Sequence, residues 1–352
     1  MKAFIGLVLA MAIHKLPQIN NYWSSNWVLN VPQFCQVFTT KRFWALWSNI
    51  HLVNNETALP RDHADHDRLF KVRPILNILT RTFEDNYSPG QCVAVDESMV
   101  RFKGRSSLKQ YMPMKPIKRG FKVWSASCSC CGYLYGFQVY TGKVPGSESK
   151  GMAHRVVADL TLPLLAGKNH IVYVDNFFTS LPLITELHQN SVYLCGTYRA
   201  SRVGFPRELQ DSNAIKRLER GNSIMMVKGE IAACVWKDKK PVYVVSNAHC
   251  PRIITNVKRR THDGSRIQVS SPQMVSEYNN YMGGVDLLDQ MKGCYGYSRK
   301  SKRWWLRLLY HFVDAWHDKL IHASNLHSYQ YYWHPPMLVV VPKTADHRCE
   351  LI

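Results

Sequence analysis

Apolar and polar positions follow three patterns along the chain. Up to about residue 85 the spacing is helical: an apolar run from Phe4 to Ile13, then Pro32 to Val53 with Phe34, Phe38, Phe43 and Trp47 four or five apart, then Asp67 to Phe83. These aromatic side chains are expected in a core rather than on a base-stacking surface. From about 90 to 200 short β-prone runs alternate with helical ones. Cys92 to Val95 and Ile171 to Val174 read as strands buried on both faces, and Gly120 to Cys128 with Tyr133 to Tyr140 as an antiparallel pair joined at a Cys-Gly turn. Met152 to Leu165 is helical, with apolar residues at 156, 157, 160, 164 and 165; Leu181 to Gln189 is a helix behind Ser180; Val192 to Tyr198 is a further strand. From 201 to 270 the chain becomes basic and strand-rich (Ile224 to Val227, Ile231 to Trp236, Val242 to Ser246), and Pro272 to Leu288 and Trp304 to Leu320 return to helix.

This order predicts an α/β protein with a ribonuclease-H-like catalytic domain, interrupted by a β-rich insertion and flanked by helical segments. The expected divisions are a helical segment over 1–88, the first part of the core over 89–200, the insertion over 201–270, the last part of the core over 271–326, and an irregular tail over 327–352. The chain opens almost inside an apolar helix, as the later part of a longer protein would. The Phe4 to Ile13 run has no small-residue cleavage site after it and is too short to cross a bilayer, so no membrane partner is expected.

Charge changes the picture. Lys and Arg number 45 against 25 Asp and Glu, a net +20, which points to a polyanionic partner, nucleic acid first; a merely basic soluble surface is the other meaning. With 46% hydrophobic residues the chain is not a disordered one. The 10 cysteines lack paired zinc-site spacing, and Cys128, Cys130 and Cys131 are expected as buried free thiols in a reducing compartment.

Both of the buried strands deliver an acid: Asp96 after Cys92 to Val95, and Asp175 after Ile171 to Val174. A carboxylate where hydrocarbon would pack needs a cation, a metal or hydrogen-bond donors beside it. Two such strands suggest a divalent metal site. A third acid lies in YNNYMGGVDLLDQM, where Gly283 and Gly284 permit a close backbone approach and Asp286 and Asp289 share one helical face. One would ligate and the other support it; acids placed against a helix dipole are the alternative meaning. Then come Arg299, Lys300, Lys302, Arg303 and Trp304, a cationic run ending in an indole, suited to phosphate contact and stacking. Lys103, Arg105, Lys115, Lys118 and Lys122, around the first acid, are further phosphate-clamp candidates.

Three ordered stretches, VDESMVRFKGRSSLKQYMPMKPIKRGFKVW, VDNFFTSLPL and YMGGVDLLDQMKGCYGYSRKSKRWW, resemble the DDE/D transposase core of the piggyBac superfamily, including its domesticated element-derived proteins. The resemblance implies Asp96, Asp175 and Asp286 as the catalytic acids and Asp289 as the supporting one. It also implies two Mg²⁺ ions, with Mn²⁺ as a substitute, and a dimer acting on double-stranded DNA at transposon ends and TTAA targets. The helical segment would serve dimerisation and DNA binding, and the protein would be nuclear. The expected activity is metal-dependent strand cleavage and transfer. A catalytically lapsed DNA-binding relic is the competing expectation, and an unrelated ribonuclease-H-like nuclease acting on RNA or an RNA–DNA hybrid a third.

Overall fold

The computed structural model describes residues 1–142, 151–296 and 301–325. The chain divides into two compact units: one of residues 1–87, 99–121 and the described part of 290–352, the other of 88–98 and 122–289. The expected tail over 327–352 lies outside the described residues.

The first unit is mostly helical. Helix α1 (Lys2–Ile13) buries Phe4, Leu7, Val8 and Met11, one stripe of an almost wholly apolar sequence. The stretch from Pro32 onward forms two helices, α2 (Pro32–Val37) and α3 (Thr40–Asn49), because the Thr39 hydroxyl accepts the Arg42 N–H at 3.2 Å and starts the second. Helix α4 (Arg73–Asp85) follows. The aromatic residues form a core: ring centroids lie 5.2 Å apart for Phe4 and Phe43, 4.5 Å for Tyr22 and Phe34, and 5.8 Å for Trp47 and Tyr310.

Strand β1 (Cys92–Arg101) gives Cys92–Ser98 to the second unit and its last residues to the first. It does not stop at the acids: Ser98, Met99 and Val100 are buried again beyond Asp96 and Glu97, so the acidic pair is an interruption inside a longer strand. Strands β2 (Gln110–Tyr111), β3 (Arg119–Cys128) and β4 (Leu134–Val139) are antiparallel, with β2 and β4 each paired to β3. Helix α5 (Met152–Leu165), strand β5 (Ile171–Val174), helix α6 (Leu181–Gln189) and strand β6 (Tyr193–Thr197) come next. After the short α7 (Ser212–Arg217) follow β7 (Ser223–Lys228), β8 (Ile231–Lys237) and β9 (Pro241–Ser246).

Together these strands make one mixed sheet in the order β2-β3-β1-β5-β6-β9-β8-β7, with β4 on β3. Its centre is parallel: β5 pairs with β1 on one side and β6 on the other. Val93, Ala94, Val95, Val172, Tyr173 and Val174 there have no exposed surface, which is why both sequences read as unbroken apolar runs.

Strands β10 (Ile254–Arg260) and β11 (Arg266–Pro272) form a separate hairpin that hydrophobic alternation does not predict. Its sequence is mostly cationic and polar, and within it Val257 pairs with Val269 as a buried apolar pair. The Asp263-Gly264 turn, with Gly264 at φ +86°, is the local signal that does mark it. Trp236 on β8 donates its indole N–H to the Ser270 carbonyl at 2.8 Å, and Asp238 receives Arg220 at 2.7 Å and Arg259 at 2.9 Å. Helices α8 (Gln273–Tyr281), α9 (Gly284–Tyr295) and α10 (Trp304–Asn325) complete the described chain.

Burial of Asp238 would raise its pKa, but the hydrogen bonds from Arg259 and Arg220 outweigh burial and hold the carboxyl below its ordinary value. A folded-state pKa lowered in this way adds stability that is complete above the unfolded value, about 3.9, and is lost as pH falls through the folded one. Asp238→Asn is therefore expected to lower the melting temperature at neutral pH and to lose less than the parent when both are acidified from about pH 4 downward. Thermal melts across that range check it; parallel curves would dismiss the cluster as a source of acid sensitivity.

Candidate active site

The sheet register sets the first two acids side by side. Val95 of β1 is paired with Val174 of β5 in parallel, so Asp96 and Asp175 are the next residues on neighbouring strands. Such strands run about 4.8 Å apart. Asp175 opens a tight turn: its Oδ1 accepts the Phe177 N–H at 2.9 Å, and its carbonyl accepts the Thr179 hydroxyl at 2.8 Å. Arg202 donates to the carbonyls of Thr179 and, at 3.3 Å, Phe177, while Arg199 donates to the Asn176 side chain at 2.8 Å. Three side chains, those of Asp175, Thr179 and Arg202, thus fix the backbone that carries the acid.

The third acid arrives on a helix. Gly284 starts α9 so close to the sheet that a Cβ there would stand 3.2 Å from Ala94 Cβ and 3.1 Å from the Cys128 carbonyl oxygen. Of the two glycines, this one makes the close approach; Gly283 faces open space. Further along α9, Asp289 accepts the Ser98 hydroxyl at 2.5 Å. Ala94, Asp96 and Ser98 alternate onto one face of β1. The helix touches that face at Gly284 and at Asp289, and Asp286 lies between these two anchor points.

Tyr278, on α8, is a site residue that the strand and motif pattern does not reveal. Burial pushes its phenol up to about 12; its hydrogen bond to Thr197 opposes this, and Asp175, Cys195 and Asp96 each add a smaller upward push. It therefore stays neutral beside both acids at ordinary pH. Its place in the tyrosine-rich stretch YNNY, just before the two glycines and Asp286, is the sequence signal that could have found it.

Carboxylate oxygens are the donor type that hard divalent cations such as Mg²⁺ and Mn²⁺ prefer. The residues fit such an ion in donor chemistry, and Asp96 and Asp175 are also neighbours in backbone placement. As the side chains stand, no three Asp, Glu, His or Cys groups among the described residues lie close enough together to hold a metal. The described cysteines are free thiols; Cys128 is buried as expected, Cys131 is half-buried and Cys130 is exposed.

The basic candidates fall into separate places. In the helical unit, Lys103 and Lys118 line a cavity of about 630 Å³ together with Arg101, Lys109, Arg119 and Tyr111, and among the described residues no acidic side chain stands in its wall. Arg105 is exposed and Lys115 half-buried. In the other unit Lys122 puts its ammonium 3.6 Å from the Trp124 ring centroid, so it is held among aromatic rings. Arg303 donates to the carbonyls of Ser48 at 2.5 Å and Trp47 at 3.5 Å, capping the last turn of α3. Trp304 meets Phe121 edge-on at 6.3 Å, Lys302 is exposed, and Arg299 and Lys300 lie outside the described residues.

The family described as Transposase IS4 matches residues 1–316, a span that includes all three acids. PiggyBac transposable element-derived protein 3 of Homo sapiens is 29% identical over 312 residues, covering 86% of this chain and 51% of that protein. The chain belongs to the piggyBac superfamily of transposases. A second piggyBac relative, transposable element-derived protein 2 of Homo sapiens, is 25% identical over 339 residues, 93% of this chain and 55% of its own length. The chain thus spans about half the length of these relatives. Among solved structures, a piggyBac transposase synaptic complex with hairpin DNA matches at a TM-score of 0.77 and 26% identity, over 93% of this chain and 66% of that one. The mixed sheet and its helices are therefore similar to those of a piggyBac transposase. Among the described residues no helix is long and apolar enough to cross a membrane.

Proposed function

We propose that the chain acts on double-stranded DNA as a DDE/D-type strand-cleaving and strand-transferring protein, with Asp96, Asp175 and Asp286 as its catalytic acids. The observation that carries this is the Val95–Val174 register, which makes Asp96 and Asp175 neighbours on adjacent buried strands. The order of three antiparallel strands, then parallel strands reached through helices, is in keeping with a ribonuclease-H-like core. The piggyBac relative in the solved structures is described with hairpin DNA, which supports DNA as the substrate class.

The three acids would hold Mg²⁺ or Mn²⁺, and the ions, when bound, supply Lewis-acid activation of the attacking oxygen and charge stabilisation for the leaving one. The protein's own share is positioning. The Asp175 turn is fixed by Phe177, Thr179 and Arg202; Asp289 ties α9 to β1 through Ser98; Tyr278 supplies a neutral hydroxyl beside the acids. The test is nicking of supercoiled DNA by the purified chain with Mg²⁺ or Mn²⁺. Metal-dependent nicking by the parent, missing in Asp96→Asn and Asp175→Asn, supports the reading, and equal nicking by all three rejects it.

A second reading, a DNA-binding protein descended from a transposase and no longer cleaving, draws on the names of the human relatives, which call them transposable element-derived. It predicts DNA binding without nicking and no rise in melting temperature with Mg²⁺, since a ligand held by the folded state alone raises it.

In either reading the cavity around Lys103 and Lys118 is the phosphate-binding surface of the helical unit. Lys103→Ala and Lys118→Ala are each expected to weaken DNA binding at all sequences alike and to reduce the slope of log affinity against log salt by about one. Titrations at several salt concentrations measure this. An unchanged slope in both variants would remove the cavity from the DNA surface.

A further inference from the structure

A turn rich in thiols cradles the helix that carries the third acid. Strand β3 ends at Cys128, and Ser129, Cys130, Cys131 and Gly132 lead round toward β4. The turn is fastened at three places. The Ser129 N–H donates to the Cys92 carbonyl at 3.0 Å, the Gly132 N–H to the Cys128 carbonyl at 2.9 Å, and the Cys128 N–H to the Tyr133 carbonyl at 2.9 Å. Helix α9 lies against it at two points. A Cβ at Gly284 would stand 3.1 Å from both the Cys128 carbonyl oxygen and Ser129 Cα, and one at Gly132 would stand 3.0 Å from Leu287 Cγ and 3.1 Å from the Leu288 nitrogen. Asp286 falls between these contacts in the chain, so the shape of the turn decides where that acid stands.

The same turn carries an oxidisable pair. The exposed Cys130 thiol is hydrogen-bonded to the buried Cys128 thiol. Residues two apart are at most about 7 Å apart when extended and nearer in a turn, within the reach of a disulfide, whose Cα atoms lie about 4.4–6.8 Å apart. We propose that Cys128 and Cys130 are a thiol–disulfide site, oxidised by a low-molecular-weight disulfide such as glutathione disulfide, and that the closed link unseats α9. Its consequence for cleavage rests on Asp286 being a catalytic acid, as in the function proposed above.

The exchange takes two steps. The Cys130 thiolate attacks one sulfur of glutathione disulfide, whose S–S bond breaks; a mixed disulfide forms, and the departing glutathione takes up the proton that Cys130 lost. Cys128, deprotonated in turn, attacks the Cys130 sulfur and releases the second glutathione, which takes up its proton. The protein loses two electrons and glutathione disulfide gains them. The new bond spans Ser129 alone, so it draws the backbone into a small ring at the expense of the Ser129–Cys92 hydrogen bond and of the carbonyl on which Gly284 packs. Strained disulfides are the readily reduced ones, which makes the link reversible. Burial, with Cys128 alongside, raises the Cys130 thiol above its ordinary value, so the exchange is slow and is read at equilibrium.

The experiment holds the full chain in glutathione buffers from reducing to oxidising, at about pH 8 so that thiolate is available. Peptide mapping of the oxidised parent is expected to show a Cys128–Cys130 link. Amide exchange over residues 284–289 is expected to quicken by about tenfold, because the seat that protects them is lost. Metal-dependent nicking is expected to fall by about tenfold or more, and dithiothreitol to restore both to within about twofold. Cys130→Ser is expected to nick like the reduced parent and to be indifferent to the same buffers, with Cys130→Ala in its place should serine disturb the turn. Cys131→Ser is expected to respond as the parent does. No link in the oxidising buffer, a link from Cys130 to Cys92 or Cys131, or a link that leaves exchange over 284–289 unchanged overturns the proposal. Faster exchange with nicking unchanged, or in a parent that never nicks, upholds the thiol site and counts against the catalytic reading of Asp286.

Discussion

Asp96→Asn is expected to lower metal-dependent DNA nicking by about a thousandfold or more, which is about 4 kcal/mol of barrier at 1.36 kcal/mol for each factor of ten. Asp175→Asn should do the same. Both residues follow directly on a paired pair of strand residues, and both act on the same buried phenol of Tyr278. Asparagine keeps the size and removes the charge, so the sheet should be preserved and the hold on a divalent ion lost. Asp289→Asn is expected to have a much smaller effect, within about tenfold, because Asp289 is bonded to Ser98 and would act through the placement of α9. Initial nicking rates at saturating Mg²⁺, with circular dichroism to check folding, measure all three. If Asp289→Asn were as damaging as Asp96→Asn, the third acid would have to be reassigned.

Gly120→Ala is expected to destabilise the helical unit by about 3–5 kcal/mol. A Cβ at Gly120 would stand 2.0 Å from the Val100 carbonyl oxygen and 2.7 Å from its carbonyl carbon. Both partners are backbone in paired strands, so neither can turn away as a side chain would. At about 2.1 cal/mol/K of unfolding entropy per residue, the loss corresponds to a melting temperature lower by roughly 5 °C if the whole chain melts together. Gly6→Ala is the control. Nothing lies within 4 Å of its Cβ position and it sits inside α1, so the change should leave stability equal or raise it by up to about 1 kcal/mol. A melting temperature unchanged in Gly120→Ala would mean that the strands part there without cost.

Much of this was legible in the sequence where local pattern and tertiary role agree. Met152–Leu165 and Leu181–Gln189 are helices within the predicted limits, and Ile171–Val174 is the predicted buried strand, because each has one strong periodicity and a clear boundary. Legibility failed where a local rule was overridden. An acidic pair reads as the end of β1, yet the strand runs on to Arg101, since Ser98, Met99 and Val100 are buried beyond it. The expected helix from Pro272 to Leu288 is two helices with a break at Met282 and Gly283. Of the site, the residue types and order were readable, and their juxtaposition was not: the parallel register of β1 and β5 joins residues far apart in the chain. The phosphate candidates show the same limit. Lys103 and Lys118 stood out singly, but a cavity shared with Arg101, Lys109 and Arg119 exists only once β2 pairs with β3. Arg303 carries the charge of a phosphate clamp and is engaged with the end of α3.

The seating of α9 against Ala94 also fixes an order of events during synthesis. A ribosome that has delivered the chain only through β6 has made both neighbouring strand acids, but not the helix with the last one. Products of stalled or prematurely ended translation would then lack the seat of the third proposed acid, however well their early strands had paired. The candidate site would be completed only by a late piece of polypeptide docking by means of one glycine.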